Sequence, residues 1–114
     1  MEHVYEFWQP AYTTEHFLLP GEIANIWGLH SSSRKPHATL ASLILKEYIN
    51  HLNSYRPFYY MSKHYGMMEV YPREIYNAAL QWFLEETDHK LNGSVEIDGK
   101  KYKYQFIREE DPNA

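Results

Sequence analysis

The sequence predicts a small α+β domain with a mainly helical core and a C-terminal β-hairpin. Three observations predict it. The chain has 114 residues, 44% of them apolar, which suits one globular domain and is too short for two with cores of their own. Two stretches, about 36–53 and 72–88, repeat apolar residues at spacings of three and four, the period of a helix. From 93 to 108 the period changes to two around Asp98-Gly99, which is hairpin chemistry.

The elements follow in order. Residues 1–19 form a lead-in, in which His3 to Trp8 reads as a short strand or an irregular segment, rich in strand-favouring rings and ended by Pro10. The helical core spans 20–88. Pro20-Gly21-Glu22 opens a short helix, because proline suits a first turn and an acid suits its positive end. Gly28 stops it by adopting the left-handed conformation. Ser31 to Lys35 is a polar loop. Pro36 then starts the most regular helix, with Ala41, Ile44, Leu45, Tyr48, Ile49 and Leu52 on one stripe. Phe58 to Tyr65 reads as another short helix, closed by Gly66. Pro72 starts the last, which buries Ile75, Tyr76, Ala79, Leu80 and Phe83. In the hairpin, 93–108, Val95 and Ile97 alternate with acids, and Tyr102, Tyr104 and Phe106 with Lys103 and Gln105. Residues 109–114 are a polar, flexible tail.

Charge narrows the function classes. The formal net charge is −4, which excludes a protein that coats nucleic acid by bulk charge. The charge is nevertheless in blocks. Residues 23–68 hold five bases against Glu47, and 99–108 hold Lys100, Lys101, Lys103 and Arg108 with no acid. With no cysteine, disulfides, thiolate catalysis and cysteine-bound zinc are excluded. No two of the seven histidines lie at a helical ligand spacing, so no metal and no other cofactor is expected. The scattered glycines make no phosphate-binding loop, and Ser31 to Ser33 lack a nucleophile elbow, so no catalytic residues are nominated and no enzyme is expected. Leu40 to Leu45 is too short to span a membrane, and Met1 to Trp8 lack the basic start of a secretory signal. The expectation is a cytoplasmic protein.

Two segments pair a small residue with a glycine four later and an apolar residue directly after: Ala24-Gly28-Leu29 and Ser62-Gly66-Met67. The second precedes the helix from Pro72 and the basic hairpin. Over about residues 36–108, this order resembles the winged helix-turn-helix superfamily. The resemblance implies three core helices, a recognition helix from Pro72 and a hairpin wing. It implies double-stranded DNA as partner and a regulatory or accessory role, with a homodimer expected. Arg73, Asn77 and Gln81 would face base edges. Lys100, Lys101 and Lys103 would meet phosphates, with Arg34, Lys35 and Lys63 adding to the basic face. Glu74, Glu85 and Glu86 on the same helix oppose this.

A second reading rests on the aromatic excess, which crowds between Tyr55 and Tyr76. Tyr55, Phe58, Tyr59, Tyr60 and Tyr71 are candidates for a protein interface, since tyrosine buries its ring while its hydroxyl finds a partner. On this reading the chain is a small inhibitor or adaptor, of the kind a phage or mobile element encodes.

Overall fold

The computed structural model describes residues 3–5, 17–52, 58–62 and 66–107. Two short strands lead in, β1 at His3–Tyr5 and β2 at Phe17–Leu18. Helix α1 spans Pro20–Trp27 and buries Ile23, Ala24 and Trp27. Its start is satisfied by Glu22, whose carboxylate accepts from the Leu19 N–H at 2.9 Å. Its end is Gly28, left-handed at φ 77° as expected, with its N–H turned back to the carbonyls of Ala24 and Asn25. A two-residue strand, β3 at Leu29–His30, follows at once.

The long helix is α2, Ala38–Asn50. It starts two residues later than expected. Pro36 is held extended in a bridge to His30, and His37 takes the capping position. The buried stripe is Leu40, Ala41, Ile44 and Leu45, with Tyr48 and Ile49 packed at its margin.

The helix expected over 58–65 is a correction. Phe58–Ser62 is strand β4, and Gly66–Pro72 is strand β5, paired antiparallel from Phe58↔Val70 to Ser62↔Gly66. The run is dense in aromatic residues, which favour a pleated, half-buried surface over a helix. Gly66, at φ 75°, lies at the start of a returning strand and does not cap a helix. No tight helix-turn-helix therefore joins α2 to the next helix.

Helix α3 spans Arg73–Glu86, capped by Pro72, and buries Tyr76, Ala79 and Phe83. The hairpin is β6, Asn92–Ile97, and β7, Lys100–Phe106. Asp98 and Gly99 both have positive φ, 54° and 80°, the geometry of the mirror-image turn that matches strand twist.

The strands form two sheets, β1-β4-β5-β2 and β3-β7-β6. One core joins the elements: α1 packs on α2, α2 on α3, and Tyr71 of β5 and Tyr104 of β7 enter from the two sheets. The Phe83 ring meets Tyr104 edge-on at 5.3 Å, which fixes the hairpin against α3.

Candidate functional site

The sheet β3-β7-β6 carries the densest basic surface among the described residues. Along β7, Tyr102, Tyr104 and Phe106 turn toward the core. By strand alternation Lys101, Lys103 and Gln105 turn to the opposite face, and both lysines are exposed. Lys103 pairs in register with Ser94, and Lys101 with Glu96. Lys100 falls on the inner parity, with its ammonium 5.7 Å from the centre of the Tyr102 ring.

The polar loop joins this face. Gln105 Nε2 donates to the Ser31 carbonyl at 3.0 Å, across the β3–β7 pairing of His30 with Gln105. The loop closes on itself, with the Ser31 N–H donating to Lys35 O at 2.8 Å and the Arg34 N–H to Ser31 O at 2.9 Å. Arg34 sits at φ 63°, a left-handed conformation that costs a non-glycine residue about 1 kcal/mol. Both Arg34 and Lys35 are exposed. Lys103 is two positions, about 7 Å, from Gln105 along the strand, so the two basic zones flank one sheet.

Arg73, Asn77 and Gln81 are exposed and recur every fourth residue, which sets them along one solvent stripe of α3. Glu74, Glu85 and Glu86 are exposed on the same helix, so α3 shows more acid than base. Lys63 lies outside the described residues.

The aromatic interface candidates divide. Tyr71 is fully buried, with its hydroxyl donating to Glu69 Oε1 at 3.0 Å, and belongs to the core. Its nomination as a surface residue is corrected: β5 carries it into the core. Phe58 is half-buried, its ring 4.7 Å from Phe17. Tyr59 and Tyr60 are half-buried, and Tyr55 lies outside the described residues. Two organising contacts had no sequence signal. A strand as short as β3 leaves no periodic trace, and the Gln105–Ser31 link joins residues remote in the chain.

Among the described residues, no group of His, Asp or Glu is arranged to hold a metal ion, and no helix is long and apolar enough to cross a membrane. Compared with known protein families, curated proteins and solved structures, the chain matches none.

Proposed function

We propose that this chain is a non-catalytic, cytoplasmic DNA-binding regulator or accessory factor of winged-helix type, which grips duplex phosphates with the outer face of β3-β7-β6. The observation that carries the reading is the gathering of Arg34, Lys35, Lys101 and Lys103 around one small sheet. A helix followed directly by a basic hairpin, α3 and then β6–β7, supports it further. Phosphate contacts of this kind set affinity and orientation. Base reading falls to Arg73, Asn77 and Gln81 on α3, with Asn77 and Gln81 suited to adenine edges. The acids of α3 limit how closely that helix approaches the phosphates.

The test is a fluorescence-anisotropy titration against randomised duplex DNA across about 50–200 mM salt. Lys101→Ala with Lys103→Ala should weaken binding to all sequences alike and reduce the salt slope by about 2. Absence of binding at low salt, or an unchanged slope in the double variant, sinks the proposal.

A second reading, a protein-interaction module, is favoured by one observation. Met67 is 56% exposed on the β4–β5 ribbon, on the same face as half-buried Tyr59. Such a patch suits a protein partner better than DNA.

A further inference from the structure

A cleft of 390 Å³ lies between the C-terminal halves of α2 and α3 and the strand β6. Its apolar lining includes Ile44, Phe83, Val95 and Ile97. Glu47, Glu86 and Glu96 supply carboxylates to it, and no Lys or Arg lines it. Lys101 stands across the ladder from Glu96 and does not line the cleft.

The cleft follows a strand edge. Val95 and Ile97 point to one face of β6 and Glu96 to the other, so a space lined by all three runs along the edge. Among the described residues β6 pairs with β7 alone. The two-residue turn makes Ile97↔Lys100 the first hydrogen-bonded pair of the ladder. Bonded pairs then alternate, so Val95 and Gly93 also bond to β7. The Phe106 N–H donating to the Leu91 carbonyl at 2.8 Å keeps the same odd-numbered parity. The backbone N–H and C=O of Ser94 and Glu96 therefore point away from β7, toward the open edge. Edges of natural sheets are usually blunted by lysine, proline or a bulge. β6 has no lysine or proline.

We infer that this edge captures an extended peptide of a partner protein, with basic residues alternating with apolar ones, as a fourth strand beside β6. Backbone pairing at Ser94 and Glu96 supplies the register, apolar side chains fill the cleft, lysines or arginines on the opposite face meet Glu96, and Glu47 and Glu86 behind the sheet add to the negative field. Charge argues against the two terminal segments of the chain filling the site. Residues 6–16 hold Glu6 and Glu15 and no Lys or Arg, and 108–114 hold Arg108 against Glu109, Glu110 and Asp111. A second copy docked edge to edge would bring two acid-lined clefts together. The site uses the edge of the sheet and the helices behind it, and of its carboxylates Glu96 alone shares the outer face with Lys101.

The experiment titrates a fluorescein-labelled Lys-Val-Lys-Val-Lys-Val peptide into the full chain by anisotropy, beside Glu-Val-Glu-Val-Glu-Val. The basic peptide should bind below about 1 mM and the acidic one should not. Ser94→Pro removes one outward N–H and leaves the β6–β7 ladder intact. It should weaken binding about tenfold or more, with an unchanged circular dichroism melt. Glu86→Lys, on the other wall, should weaken it as much without touching the edge. Equal binding of both peptides, or equal affinity in wild type and both variants, overturns the inference. So does a dimer in sedimentation velocity that Ser94→Pro dissociates, since a second copy would then own the edge.

Discussion

At Gly28 a single residue closes α1 and anchors the C-terminal strand region. Its carbonyl accepts from the Ile107 N–H and from His30 Nδ1, each at 2.8 Å, which places the His30 proton on Nδ1. A Cβ at Gly28 would run into the Ile107 carbonyl, so the position needs glycine for space as well as for its φ. The helix stop was legible in the sequence; the second demand was not, because Ile107 is remote in the chain. His37 is a second such residue. Its Nδ1 accepts from the Leu40 N–H at 3.3 Å, capping α2, and its ring lies 6.2 Å from Tyr102. Burial lowers its pKa below the usual 6.5. Protonation would remove the acceptor and place a cation at the positive end of the helix. A pKa lower in the folded than in the unfolded chain gives a contribution that is complete above 6.5 and lost as pH falls below it. Urea unfolding across that range should therefore show stability declining more steeply in wild type than in His37→Asn, which caps without titrating. Equal slopes would remove the histidine from the account.

At the scale of elements, the ribbon β4–β5 is where sequence reading and structure part. Phe58 to Tyr65 carries strand-favouring rings, yet one small residue and one glycine at helix-turn spacing suggest a helix. The pairing of Phe58 with Val70 and Tyr60 with Met68 decides for a strand, and such pairing is invisible to local spacing. The ribbon places its tyrosines in unequal environments. Tyr71→Ala should cost about 3–5 kcal/mol, because it empties a fully buried site. Tyr59→Ala, at a half-buried position, should cost less than half of that. Chemical denaturation of the two variants measures this, and equal losses would mean that Tyr71 does not belong to the core. The hairpin β6–β7 fared differently. Asp98-Gly99 and the alternating tyrosines located it closely, since a two-residue turn and a period of two are both local signals.

Across the whole molecule, charge is sorted by element. The loop after β3 and the outer side of β7 carry Arg34, Lys35, Lys101 and Lys103, while α3 exposes Glu74, Glu85 and Glu86 beside Arg73. If α3 approaches DNA as proposed, its carboxylates oppose the contact. Glu74→Gln with Glu85→Gln should then raise duplex affinity about three- to tenfold at low salt, and less at high salt. No gain in an anisotropy titration would place α3 away from the DNA. Local patterns along the chain suffice for the α+β class, the helices after Pro20 and Pro72, the stripe of α2, and the hairpin. Each of these rests on neighbours a few residues apart, through periodicity, a left-handed glycine or a turn pair. Long-range pairing alone makes β3 a third strand of the hairpin sheet, ties the basic loop through Gln105 to Lys101 and Lys103, and, among the described residues, leaves β6 paired on one side only, beside an acidic cleft. Those features depend on pairing and packing between distant segments. Many pairings satisfy the same local pattern, and burial of the common core selects among them.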